Sequence, residues 1–178
     1  EREMRAQVEA ALAAGIDVTH LDTHMGSVLH PRFLAAYVSL GIEYRLPLFL
    51  IRPDRALLES RGLLSLWELL EPQLRRVDEA GLPILDHIVF ETLGYAQETK
   101  EESYRRLFGS LKPGVTHFII HPARASDEMA AITPDAASRA RDYELFRDGA
   151  MREYVSGLGV RLIGYREIRD ALREGRLG

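Results

Sequence analysis

Histidine and aspartate recur beside apolar runs in this chain. In His20-Leu21-Asp22-Thr23-His24 two histidines and an aspartate occupy alternate positions. Along a strand, residues two apart face the same side, so His20, Asp22 and His24 would share one face. Polar side chains on a buried face need partners, because unpaired burial is costly. A metal ion is one partner that satisfies imidazole and carboxylate together. A hydrogen-bonded Asp–His pair at a strand end is the other reading of the same spacing.

Similar residues recur downstream. His30-Pro31 follows in a loop containing Gly26 and Ser27. His30 could line the rim of the same site or cap the helix that follows it. Asp86-His87 interrupts the apolar run from Ile84 to Phe90, as either an internal ion pair or a catalytic pair. His121-Pro122 closes the run Phe118-Ile119-Ile120, with His117 on the same strand face. Proline biases the residue before it toward extended backbone, so His121 is set where the chain leaves the sheet. Arg45, in Tyr44-Arg45-Leu46-Pro47, could pair with Asp22 or Asp86, or bind a polar substrate. Arg139 and Asp142 have the spacing of an i,i+3 pair on a solvated helix face.

The elements that would position these residues alternate. Met4, Val8, Ala11 and Leu12 recur at helical spacing and Gly15 ends that helix. Extended segments are predicted over 16–24, 43–51, 84–90, 115–120 and 160–163. Helices are predicted over 31–40, closed by Gly41, and from Ser65 to Gly81, with a capping-box pair Ser65/Glu68 and an interruption at Pro72. Further helices follow from Thr99 to Leu111, from Thr133-Pro134-Asp135 to Gly157 with a break at Asp148-Gly149, and over 167–173. Residues 53–62 read as a loop or short helix. Strands alternating with helices imply an α/β fold with a parallel sheet, doubly wound or a barrel. In such folds the active site lies at the carboxyl ends of the strands, where three of these segments carry histidine.

Composition narrows the function. The 178 residues are 46% hydrophobic and 28% charged, a globular balance, and nothing resembling a linker divides them, so 1–178 reads as a single domain. Cysteine is absent, which removes disulfides, thiolate metal sites and a Cys nucleophile. A net charge of −4 with no basic block argues against nucleic acid. No apolar run reaches the roughly 18 residues of a membrane span, and no signal peptide opens the chain. A cytoplasmic protein is expected. The phosphate loop, the GxGxxG fingerprint, the GxSxG elbow and HExxH are all missing. Trp67 lies in a leucine-rich helix and reads as core. The chain opens on Glu1-Arg2-Glu3-Met4, already in a helical pattern, and reads as one lacking its first segment.

The ordered set of motifs resembles the YdjC-like carbohydrate deacetylases. It runs from Ala14-Gly15-Ile16-Asp17-Val18-Thr19-His20-Leu21-Asp22-Thr23-His24, through His30-Pro31, Arg45-Leu46-Pro47 and Asp86-His87, to His121-Pro122 and the stretch from Arg139 to Tyr165. The resemblance implies a distorted (β/α) TIM-like barrel whose N-terminal strand, with an Asp-Asp pair, is missing from this chain. It implies one divalent metal ion, Mg2+ or Zn2+, with His24 and His121 as histidine ligands and Asp22 behind them. It implies metal-dependent hydrolysis of the N-acetyl amide of a carbohydrate or glycolipid. Asp86 would orient a site histidine, His87 or His30 would protonate the leaving amine, and His30 and Arg45 would contact the sugar. An N-acetylated sugar is the expected partner, and a homodimer is compatible with it. Met25-Gly26 and Ala123 depart from the family pattern at positions that bear on which sugar is taken. The alternatives are a non-catalytic carbohydrate- or metal-binding barrel, or another metal-dependent hydrolase on the same barrel.

Overall fold

The computed structural model describes residues 1–176. The chain packs as two compact units, one formed by Glu1–Leu85 with the C-terminal stretch from Ile163, the other by Asp86–Leu162.

In the first unit, α1 (Arg2–Ala13), α2 (Pro31–Tyr44), α3 (Arg55–Ser60), α4 (Leu64–Glu79) and α9 (Tyr165–Arg173) surround short extended segments. Those segments meet in parallel at two isolated bridges, Leu21 with Leu48 and Ile51 with Leu85. Helix α2 buries Leu34, Tyr37, Val38, Leu40 and Gly41, the stripe expected of an amphipathic helix. With Leu48, Leu50, Leu74, Val77, Leu82 and Leu172 it forms the core of this unit. Trp67 packs on the edge of that core, partly buried. Tyr37 ties the bridge together, donating to the Leu21 carbonyl at 2.5 Å and accepting the Phe49 N–H at 2.9 Å. Helix α9 is anchored by buried Arg169, which pairs with Asp17 and donates to the Val18 carbonyl at 3.0 Å.

The second unit holds β1 (His87–Val89) and β2 (Thr116–Phe118), paired in parallel with Ile88 opposite His117. Around them lie α5 (Lys100–Gly109), α6 (Asp127–Ile132), α7 (Ala136–Arg147) and α8 (Ala150–Gly157). An aromatic core carries the packing. Tyr104 and Phe108 meet Phe118, and the Tyr104 ring lies edge-on to Phe146 at 5.0 Å. Gly149, at φ 89, makes the break between α7 and α8 that the sequence predicts.

The α/β character and the parallel pairing follow the sequence, but the strands are shorter than predicted. Of residues 16–24 only Leu21 pairs, and His24 starts a 3-10 helix (His24–Leu29). Residues 160–163 form no strand among the described residues. An apolar β-branched run sets a local preference, whereas a strand requires a neighbour to bond to. Residues 43 and 44 belong to α2, because Glu43 is held by Arg5 of α1 at 2.6 Å. Gly41 therefore sits inside α2 instead of closing it. Pro72 likewise lies within a continuous α4.

Gly41 is needed for contact. A Cβ there would lie 2.5 Å from Leu48 Cδ2 and 2.8 Å from its Cγ, and Leu48 is itself buried in the core. Alanine would gain about 0.8–1 kcal/mol of helix propensity. Overpacking a core typically costs about 1–3 kcal/mol. Gly41→Ala is therefore expected to destabilise the protein, by roughly 1 kcal/mol net of the two effects. Urea unfolding would show a lower midpoint at unchanged slope.

Candidate functional site

The histidine-rich segment of the first unit is held by its own backbone contacts. Asp22 is exposed and accepts the Thr23 N–H at 2.7 Å. Buried Thr23 accepts the Val28 N–H at 3.2 Å, which fixes the 3-10 helix. That turn passes through Met25 and Gly26 in left-handed backbone, at φ 54 and 71, and leaves His24 exposed. His20 is engaged elsewhere. Its ring stacks on Tyr165 with centroids 3.9 Å apart and an interplanar angle of 3°, and its Nδ1 bonds with Thr19 Oγ1 at 3.0 Å. A cavity of about 240 Å³ opens beside this segment, lined by Met4, Val8, Val18, His20, Asp22 and Tyr37 among others.

His30 and Arg45 stand at opposite ends of α2. His30 Nδ1 accepts the Arg32 N–H at 3.2 Å, so the histidine caps the helix, with Pro31 at its first position. Arg45 has left-handed backbone at φ 49 and terminates α2. Its guanidinium donates to the Leu172 carbonyl at 2.8 Å, and among the described residues of this unit the pairing with Asp22 considered from sequence is not formed.

In the second unit, Asp86 and His87 both hold the turn that leads into β2. The exposed Asp86 carboxylate accepts the Val115 N–H at 2.7 Å instead of meeting a histidine. Gly114 makes this contact feasible: at φ 122 it accepts left-handed backbone, and a Cβ there would lie 2.6 Å from Asp86 Oδ2. His87 Nε2 lies 3.1 Å from the Pro113 carbonyl, which can only accept, so this nitrogen carries the proton. The sequence placed Asp86 in a dry wall because it adjoins an apolar run. Alternation instead turns it outward at the start of the strand.

His121 follows β2 and is gripped from α7. Its backbone N–H donates to Asp142 Oδ2 at 3.0 Å, and the Ala123 N–H donates to the Arg139 carbonyl at 3.1 Å. Among the described residues the His121 Nδ1 atom is buried and has no hydrogen-bond partner, and the same holds for Arg139 Nε. Burial, reinforced by the positive charge of Arg139, holds the His121 imidazole below its ordinary pKa. It is therefore neutral near pH 7, the form of imidazole that binds metal ions.

Behind His121 lies a buried ionic cluster that sequence reasoning missed. Lys100 and Asp142 are both fully buried and pair at 2.8 Å. Lys100 Nζ also donates to the Ser138 carbonyl at 2.8 Å and to Ser138 Oγ at 2.6 Å. Tyr104 donates to Asp142 Oδ1 at 2.6 Å. Burial raises the Tyr104 phenol well above its ordinary pKa, with Asp142 adding to the effect, so it remains a donor. Asp142 thus lies on the inner face of α7, correcting the solvated Arg139–Asp142 pair read from spacing. The signal available in sequence was twofold: Lys100 and Tyr104, and Ser138 and Asp142, each four residues apart on a helix.

Among the described residues no three metal-ligating side chains are gathered within either unit. The buried Nδ1 of His121, without a hydrogen-bond partner among the described residues, is nevertheless a donor of the kind a divalent cation takes.

Comparison with known proteins gives a consistent result. The model of the YdjC-like protein family matches residues 1–157. A carbohydrate deacetylase of Thermus thermophilus is 32% identical over 179 aligned positions, which cover 97% of this chain and 60% of that protein. Carbohydrate deacetylases of Thermoanaerobacter pseudethanolicus and Geobacillus stearothermophilus are 23% and 27% identical, covering 92% and 94% of this chain and 57% and 58% of theirs. The chain thus spans about three-fifths of the length of these curated relatives.

Two outcomes follow from the second unit. Removing one member of a buried ion pair strands the other charge, so Lys100→Ala should destabilise the protein by about 3–5 kcal/mol in chemical denaturation. Asp86→Ala loses one hydrogen bond at an exposed turn and should cost only about 0.5–1.5 kcal/mol in the same measurement.

Proposed function

The chain belongs to the YdjC-like protein family, and from that premise we propose that it carries out metal-dependent hydrolysis of N-acetyl groups on a carbohydrate or glycolipid. The observation that carries this reading is the similarity, over more than nine-tenths of the chain, to relatives named carbohydrate deacetylase. A (β/α) barrel is the architecture that the family resemblance implies, and the parallel pairing found within each unit is compatible with it. A cytoplasmic location belongs to the same proposal. It is consistent with the finding that, among the described residues, no helix is long and apolar enough to cross a membrane.

One divalent cation, Mg2+ or Zn2+, belongs to this proposal, with His24 and His121 as the ligands that the family resemblance implies. When bound, such an ion lowers the pKa of a coordinated water and polarises the carbonyl under attack. Residues of the chain supply the surroundings of the reacting groups. His121 presents a neutral imidazole because burial and Arg139 disfavour its charged form. Arg139 has a buried N–H without a protein partner, suited to the acyl oxygen of the substrate. His30 accepts a backbone N–H at Nδ1, so in its neutral form the proton is on Nε2, where it can donate to a sugar oxygen. Arg45 is exposed and tied through one nitrogen only, which leaves N–H donors for a polar substrate. Asp86 and His87 act in this proposal through the 113–115 turn that sets the course of β2 toward His121.

His24→Ala and His121→Ala test the assignment. Losing a group that merely supports a metal ligand typically costs about 10–100-fold, so loss of a ligand should cost at least that much. Both variants should lose bound metal by elemental analysis and lose acetate release from an N-acetylated oligosaccharide to that degree. Parent-like metal content in both variants would overturn the ligand assignment.

A further inference from the structure

We propose that Asp142, locked in place by Lys100, is a positioning residue for His121 in the deacetylation reaction; this rests on the function proposed above. A buried Lys–Asp pair is an inefficient way to stabilise a core, since apolar replacements of similar volume are often neutral or better. The bonds of this cluster show what it does instead. Lys100 directs its ammonium at three acceptors, Ser138 O, Ser138 Oγ and Asp142 Oδ1, which match its three N–H donors. Ser138 Oγ donates its own O–H to the Leu93 carbonyl at 2.9 Å. Asp142 Oδ1 also takes the Tyr104 hydroxyl. Every contact so far lies within the cluster or its immediate frame. Only Asp142 Oδ2 reaches out of it, and it binds the backbone N–H of His121.

The segment gripped there has little other means of being held. Pro122 has no N–H, so His121 and Ala123 supply the backbone donors of the His121–Ala123 turn, and α7 takes both. The carboxylate can define the position of His121 only if it cannot rotate, and Lys100 and Tyr104 prevent rotation by fixing its other oxygen. The result is an imidazole with a buried, unpartnered Nδ1. Misplacing a reacting group by about 1 Å can cost on the order of 10²-fold in rate.

Two double variants separate positioning from stability. Lys100→Met with Asp142→Asn removes both charges but retains an oxygen for the His121 N–H. Lys100→Met with Asp142→Leu removes the charges and the acceptor together. Neither leaves a buried charge unpaired. Three quantities are measured on the purified protein: thermal unfolding, Zn2+ affinity by competition with a chromophoric chelator, and the His121 ring resonances by NMR. Both variants are expected to unfold cooperatively. In the Leu variant Zn2+ should bind about 10–100-fold more weakly, with a similar fall in kcat at little-changed KM, and the Asn variant should recover both. The His121 ring signals should shift in the Leu variant only. Should the Leu variant fail to fold, Lys100→Met with Asp142→Ala replaces it. Equal Zn2+ affinity and equal ring signals in the two variants would overturn the positioning role. Absence of Zn2+ binding and of acetate release in the parent would overturn the function instead, and the ring signals would still decide the positioning role.

Discussion

The pairing of Lys100 with Asp142 in a fully dry environment is the constraint on which the second unit depends. A buried ammonium is tolerated only if its protons are all taken, and a buried carboxylate only if its oxygens are. Meeting both demands fixes the relation of α5 to α7 and sets Ser138 against the Leu93 carbonyl. It also leaves one carboxylate oxygen facing the end of β2. The aromatic packing of Tyr104 with Phe118 and Phe146 then fills the space around it. Hydrophobic burial supplies the driving force, but it is non-directional. The ionic cluster provides the register.

The first unit is organised by close approach instead of charge. Helix α2 lies on the extended segment because Gly41 offers no side chain to Leu48. Tyr37 reaches across to bond both the Leu21 carbonyl and the Phe49 N–H. The histidine segment is thereby presented from a rigid base: Thr23 is buried and bonded while His24, one residue on, is exposed.

Much of this was legible in the residues themselves. The helices followed from apolar spacing, although the Ser65/Glu68 capping pair does not form, because α4 already starts at Leu64 without a side-chain cap; the break at Asp148-Gly149 followed from glycine's access to left-handed backbone. Parallel pairing followed from the alternation of elements. Strand extents were not legible, because the pattern over 16–24 specifies extended backbone but not a partner. Gly41 looked like a helix stop, and only the nearness of Leu48 shows that it is a contact glycine. Among candidate site residues, the capping role read for His30 forms, through its Nδ1, which leaves Nε2 for the rim role. Asp86 was misplaced because an apolar neighbourhood in sequence says nothing about which face a residue at the strand edge takes. Asp142 was misread for the complementary reason. A charged residue near an arginine on the same helix suggests solvent, and its true partner, Lys100, lies 42 positions away.

We propose that this family member cleaves the amide of an N-acetylated sugar with the help of a divalent ion. This chemistry is tested most directly by acetate release from N-acetylated oligosaccharides before chelation, after chelation, and after adding back Zn2+ or Mg2+. Release should disappear on chelation and return with one of the two ions. Release unaffected by chelation, or none in the presence of either ion, would contradict it.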